Sequence, residues 1–209
     1  MSYRIDHAVF AVSDLDTAAD RWRDEYGLVS IPGGRHPRWG TANRIVPLGR
    51  EYLELIAVVD PSVAADTVLG RTLLRLTGDG DGWFSLCLAD DDIETTAARL
   101  GLEVEPGSRT TPEGVELRWR GAGIDAAERE PWLPFFIAWD VPAELHPGRA
   151  GADGRTDVEG IVSAEVAGDA ERLDRWLGGA QVPIGVVDGP PGLRSVSLGL
   201  ADGGELLVT

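Results

Sequence analysis

The sequence has 209 residues, 43% hydrophobic and 26% charged, with 35 acidic against 19 basic side chains and a formal net charge of −16. That balance describes a globular chain long enough to bury a substantial core, and its acidity argues against nucleic acid and anionic membrane surfaces as partners. A single cysteine, Cys87, excludes an intrachain disulfide, the first residues lack the apolar run of a secretory signal, and no stretch reaches the length of a membrane span, so a cytoplasmic location is expected.

Residues 5–12 are apolar and β-branched and predict a buried strand. Ser13 and Asp14 offer an N-cap to a helix over 15–26, in which Ala18, Ala19, Trp22 and Tyr26 share one face and Gly27 supplies the stop. Strands over 28–31, 41–48 and 52–58 follow, the first closed by a Pro32-Gly33-Gly34 turn. Residues 77–82 resemble a calcium loop in composition, lack its closing Glu, and predict a flexible connector. The order β-α-β-β-β then returns: a strand over 83–89, a helix capped by Asp91 or Asp92 and ended by Gly101, an extended stretch over 102–105, and strands over 115–120 and 134–139. Residues 146–157, rich in Gly, Arg and Asp, predict a mobile linker. A weaker third copy has a strand from 161 to 166, a helix over 169–177, and strands over 182–187, 193–200 and 205–208.

The repeat keeps register. Asp14-Leu15-Asp16-Thr17 aligns with Asp92-Ile93-Glu94-Thr95 at an offset of 78, and Gly27-Leu28, Pro32-Gly33 and Arg35 align with Gly101-Leu102, Pro106-Gly107 and Arg109 at an offset of 74. The expected fold is α+β: paired βαβββ modules over 3–60 and 83–141 form a curled, partly open sheet around a cavity, with a third, smaller βαβββ-like unit. The expected boundaries are a domain over 1–148, a linker over 149–157 and the third module over 158–209.

Few residues in this pattern can carry chemistry. His7 lies mid-strand among apolar neighbours. Glu54 alternates with Leu53 and Leu55, so it faces away from the helix and into the cavity, where a carboxylate needs a cation or a donor. Two pairings are open: His7 with Glu54 as an acid–base pair, or Glu54 with Arg44 while His7 packs alone. Thr41 and Asn43 share one strand face. Arg35, Arg109 and Arg118 are candidates to receive an anionic or carbonyl group, with Arg35 and Arg109 at equivalent repeat positions. Trp39, Trp119 and Trp139 fit the aromatic wall of a small-molecule pocket, whereas Trp22 and Trp176 fit helix packing. The Gly33-Gly34-Arg35-His36 run lacks the Lys-Ser/Thr of a phosphate loop and reads as a turn or a cavity-lining loop. Cys87 reads as a small core hydrophobe.

Taken together, Ile5-Asp6-His7-Ala8-Val9, Ser13-Asp14-Leu15-Asp16, Gly33-Gly34-Arg35-His36, Gly40-Thr41-Ala42-Asn43-Arg44, Tyr52-Leu53-Glu54-Leu55-Ile56, Leu117-Arg118-Trp119 and Pro134-Phe135-Phe136-Ile137-Ala138-Trp139 resemble the glyoxalase-like branch of the vicinal oxygen chelate superfamily, over residues 3–148. The resemblance implies small-molecule binding in the cavity, with lyase, isomerase or dioxygenase chemistry. Non-catalytic sequestration of a resistance type is the alternative, and a homodimer is the expected assembly. It also implies a divalent metal (Zn, Fe, Mn, Co or Ni) held by His or Glu on the first strand and Glu on the fourth strand of each module. His7 and Glu54 match those positions, and His36 is a further candidate ligand. In the second module the counterparts are Ser85 and either Phe135 or Phe136, so the four-ligand set is incomplete. The expected site therefore comprises His7 and Glu54 as catalytic or metal-binding residues, with Arg35, His36, Thr41, Asn43, Arg109, Trp119 and Trp139 binding the ligand.

Overall fold

The computed structural model describes residues 2–151, 154–155 and 157–209; Ala152, Asp153 and Thr156 of the expected linker lie outside the described residues. The first run comprises β1 (Tyr3–Ala11), α1 (Leu15–Tyr26), β2 (Ile31–His36), β3 (Thr41–Pro47) and β4 (Tyr52–Val58). Two helices follow, α2 (Pro61–Ala64) and α3 (Val68–Gly78). The second run comprises β5 (Gly82–Asp90), α4 (Ile93–Leu100), β6 (Val104–Thr110), β7 (Glu116–Ala122), α5 (Ile124–Arg129) and β8 (Phe135–Trp139). The chain ends with β9 (Val158–Ala167), α6 (Ala170–Leu177), β10 (Ile184–Val187), β11 (Gly192–Leu200) and β12 (Glu205–Val208). The fold is α+β: eight mixed strands curl in the order β1-β4-β3-β2-β6-β7-β8-β5, and β10-β9-β11-β12 form a second sheet.

Local chemistry explains the helix ends. Asp14 caps α1 by accepting the Thr17 amide at 2.8 Å, and Gly27 closes it at φ 70°, a left-handed conformation that costs glycine least. Gly101 and Gly178 end α4 and α6 in the same way. The convex side of the eight-stranded sheet is apolar. Leu53 and Leu55 of β4 pack there with Trp22 of α1, and Leu86 and Leu88 of β5 join Leu193, Val196 and Leu198 of β11 in the same core. Burial of each such side chain contributes about 1.5–3 kcal/mol. The Trp176 indole of α6 donates to the Pro134 carbonyl at 2.8 Å, fastening the second sheet to the first.

The strand register gives a second measure of the repeat. His7 faces Cys87 and Val9 faces Ser85 across the antiparallel β1–β5 pair. Adding 78 to 7 and 9 gives 85 and 87, so these two pairs exchange under a local two-fold centred on Ala8 and Leu86. Val9 neighbours Glu54 in β4, and Cys87 neighbours Phe135 in β8. Phe135, rather than Phe136, is therefore the counterpart of Glu54.

Several expectations need correction. The sheet expected to be partly open closes between β2 and β6, through Arg35 opposite Thr110. The second strand is 31–36 rather than 28–31: it runs through the glycines expected to turn, with a bulge between Pro32 and Gly34 absorbing the irregularity. Residues 59–82 carry α2 and α3, with an amphipathic face that buries Leu69 and Leu73. A short 3-10 turn at Pro147–Arg149 replaces the start of the linker expected over 146–157, and Pro147 and Gly148 are buried; another, at Ala143–Leu145, precedes it.

Candidate functional site

Two ladders, parallel β1–β4 and antiparallel β3–β4, bring the site together. His7 of β1, Asn43 of β3 and Glu54 of β4 face the concave side, as strand alternation dictates. His7 Nε2 lies 3.6 Å from Glu54 Oε2, and Asn43 Nδ2 donates to Glu54 Oε1 at 2.5 Å. Arg44, one residue along β3, points outward to Ser30 and Asp16, so it is not the partner of Glu54.

A second carboxylate stands behind His7. Asp6 should point to the opposite face, but the β1–β5 register shifts between Ile5 and His7, leaving Asp6 as the extra residue of a bulge. Its oxygens accept from His7 Nδ1 at 2.6 Å, His146 Nε2 at 3.1 Å and Trp139 Nε1 at 3.1 Å. Burial pushes the Asp6 carboxyl up, but the hydrogen bonds and charges of His146 and His7 outweigh it and hold the group well below the usual carboxylate range. The Gly148 amide donates to His146 Nδ1 at 3.1 Å, which leaves Nε2 as the nitrogen that donates to Asp6. An ionised Asp6 likewise fixes the proton of His7 on Nδ1, so His7 presents Nε2 to Glu54 and the cavity. Tyr52 stacks on His7 with ring centroids 4.4 Å apart, and Phe135 meets it edge-on at 5.6 Å.

Trp39, Trp119, Trp139, Phe84 and Ile137 supply the apolar walls, and the space left is about 70 Å³. That is small beside the roughly 300–1,000 Å³ of sites that enclose a whole ligand, which suits the reacting end of a molecule. Trp39, Leu69, Trp119 and Ile124 also line an outer groove of about 430 Å³, which puts α3 and α5 at the mouth.

Arg109 is buried and lines the cavity, with its Nη1 donating to the Gly33 carbonyl. Burial lowers the guanidinium pKa, and the Tyr52 and Glu54 oxygens oppose that shift. Arg35 is exposed and does not line the cavity, contrary to expectation. The bulge at Gly33 moves the alternation of β2 by one residue, which turns His36 inward and Arg35 outward. Register also breaks the proposed equivalence of the two arginines. Arg35 lies opposite Ala42, which faces Ala57; Pro106 lies opposite Arg120, which faces Ala138. Since β4 and β8 correspond at an offset of 81 (135 − 54), Arg35 matches Pro106. Arg118 lies outside, 68% exposed and 3.8 Å from Glu116. His36 lines the cavity with its Nδ1 3.0 Å from Thr41 Oγ1, so Thr41 holds His36 and is not itself part of the wall. Burial lowers the His36 pKa to about 4, Glu54 opposing and Arg109 assisting.

Sequence reasoning did not single out Asp6, Tyr52 or His146 as site residues. Two signals were present. Asp6 is a carboxylate inside an apolar strand, which demands partners. The chain has only three histidines, and all three converge on this cavity and the wall behind it.

The donors do not fit a divalent ion held by both halves. His7 and Glu54 come from one half, and their counterparts are Ser85 and Phe135. Asp6, His7 and Cys87 place ligand atoms within 4.8 Å of one another. However, the Asp6 oxygens already accept three N–H groups, and burial, Asp6 and Glu54 push the Cys87 thiol well above its usual pKa.

A family model described as a glyoxalase-like domain matches residues 5–178. Among solved structures, a hypothetical protein from Staphylococcus aureus aligns over 98% of this chain and 98% of its own, with a TM-score of 0.73 and 17% identity, a likeness of fold. A methylmalonyl-CoA epimerase in complex with methylmalonyl-CoA aligns at 21% identity over 66% of this chain and 94% of its own, with a TM-score of 0.47. The Mycobacterium tuberculosis methylmalonyl-CoA epimerase aligns at 20% identity over 66% and 88%, also with a TM-score of 0.47. No curated protein matches the chain significantly. Among the described residues no helix is long and apolar enough to cross a membrane.

Proposed function

Because the chain belongs to the glyoxalase-like domain family of the vicinal oxygen chelate superfamily, we propose that it is an enzyme of the isomerase or lyase type that moves a proton on a small carbonyl compound. The observation that carries this reading is the chain Asp6–His7–Glu54–Asn43, buried against aromatic walls. Asp6 orients His7. Across the 3.6 Å gap, His7 Nε2 and Glu54 Oε2 are the two groups that can take up and return a proton. The carbon acid loses its proton to one of them, its C–H electron pair becomes a C=C bond and the carbonyl π pair moves onto oxygen, giving an enolate that takes the proton back at carbon. Arg109, the cation in the cavity wall, balances that charge or holds a substrate carboxylate. No step runs through a metal.

The small cavity favours catalysis over sequestration. A sequestered ligand needs most of its surface covered, in a site of roughly 300 Å³ or more, whereas about 70 Å³ suits a reacting end whose remainder lies in the outer groove. The same reading takes residues 3–60 and 83–141 as two βαβββ modules of one domain ending near 148, and 158–209 as a third module. Assembly as a homodimer and a cytoplasmic location complete it and rest on the sequence.

The test is proton exchange. Pyruvate-sized 2-oxo acids are incubated with the protein in D2O and C–H loss is followed by NMR. At least one should exchange faster than in buffer, and Glu54→Gln or His7→Asn should slow it by about 10²–10⁴. A panel in which no compound exchanges above the buffer rate would sink the proposal.

A further inference from the structure

A second pocket of about 370 Å³ opens on the other side of Trp139, where the segment after β8 crosses the ends of β1 and β5. It shares Ile137 and Trp139 with the inner cavity but has a different character. Three arginines line it, Arg4, Arg50 and Arg149, around an apolar floor that includes Ile137, Trp139 and Pro142.

Charge accounting makes this cluster informative. In a chain of net charge −16, a surface chosen at random is acidic, so three cations around one pocket run against the background. Two acidic residues line the same pocket. Asp91 pairs with Arg4 at 3.5 Å, and the Asp6 oxygens are already taken by His7, His146 and Trp139. Among the described residues neither Arg50 nor Arg149 makes an ion pair or a side-chain hydrogen bond. Glu51, next to Arg50 and in its field, does not line the pocket; its Oε2 lies against Gly160. The two guanidinium groups thus have planar donor forks without a protein acceptor, beside an indole and aliphatic surface.

We propose that this pocket is a separate binding site for an organic carboxylate with an apolar body, its carboxylate received by Arg50 and Arg149 and its body lying on Trp139, Ile137 and Pro142. The volume falls within the range of small-molecule sites, roughly 300–1,000 Å³, and the pairing of guanidinium forks with a carboxylate is the geometry arginine serves best. The site stands independently of the reaction proposed above, because none of its ligand contacts involves Glu54 or Arg109.

The probe is benzoate, titrated into the full chain by calorimetry and by tryptophan fluorescence, with benzamide as its neutral isostere. Saturable binding of one benzoate per chain is expected, with benzamide weaker by about tenfold or more. The Arg50→Gln/Arg149→Gln double variant, altered only at exposed positions, should keep its circular dichroism spectrum and lose affinity by a similar factor, while Glu54→Gln should bind benzoate as the parent does. Absence of saturable binding, equal binding of benzamide, or indifference to the arginine pair would each overturn the proposal. Loss of benzoate in Glu54→Gln alone would overturn it too, by placing the anion in the inner cavity. Failure of the proton-exchange assay bears on the reaction and not on this site.

Discussion

Where the first half of the barrel presents His7 and Glu54 to the cavity, the second half presents Ser85 and Phe135 at the corresponding register. Asn43 in β3 likewise faces Ile56, and its counterpart opposite Ile137 is Gly121. One wall therefore carries nearly all the ionisable groups and the other is aromatic and aliphatic, with Arg109 as its charged member. The difference shows how a pseudo-symmetric shell can divide labour. The apolar half excludes water and so strengthens each electrostatic interaction in the polar half. The same exclusion raises the cost of any unpaired charge, which is why Asp6 is surrounded by three donors.

If the polar wall depends on that shielding, Asp6→Asn should have the largest effect on stability. It removes the negative charge shared by His7, His146 and Trp139 and turns one of the two acceptor oxygens into a donor facing their N–H groups, and a loss of about 3–5 kcal/mol is expected in urea unfolding. A loss under about 1 kcal/mol would mean the cluster is solvated and the contrast between the halves is overstated.

The acid limb of the stability curve probes the same wall. His36 has a native pKa of about 4 against an ordinary value of 6.5. Between those values the unfolded chain binds the proton more readily, so stability is full above about pH 6.5 and declines as pH falls toward 4, by on the order of 3 kcal/mol at most. Asp6, whose pKa lies below the ordinary 3.8, adds stability that is lost only below that pH. Melting temperatures of the parent should therefore fall between pH 6.5 and 4, and His36→Gln should flatten that decline. An unchanged slope in the variant would remove His36 from the account.

A smaller effect is expected at Gly33, where an added Cβ would run into Asn43 Oδ1. Gly33→Ala should cost about 1–3 kcal/mol and disturb the Asn43–Glu54 contact, visible as slower proton exchange. The smallest belongs outside the barrel. Asp16→Asn removes the ion pair of Arg44 with an 89% exposed carboxylate and should change stability by less than about 0.5 kcal/mol. A larger cost would show that the outward face of β3 matters more than the division of the inner walls implies.

The sequence alone carried the local features. Short apolar, β-branched runs marked β1, β3 and β4, Asp14 and Gly27 bounded α1, and Gly101 ended α4. The alternation of Leu53, Glu54 and Leu55 was enough to aim Glu54 inward, because side-chain direction in a regular strand follows from position parity. That rule fails at a bulge. Whether Asp6 joins His7, and whether His36 or Arg35 enters the cavity, depends on a one-residue slip against a neighbouring strand, which is settled by cross-strand register and packing rather than by any local run of residues. His146 illustrates the same limit over a longer span. It meets Asp6 from 140 residues away, and in a stretch rich in Gly, Arg and Asp only tertiary closure could show that a buried carboxylate was waiting for its N–H.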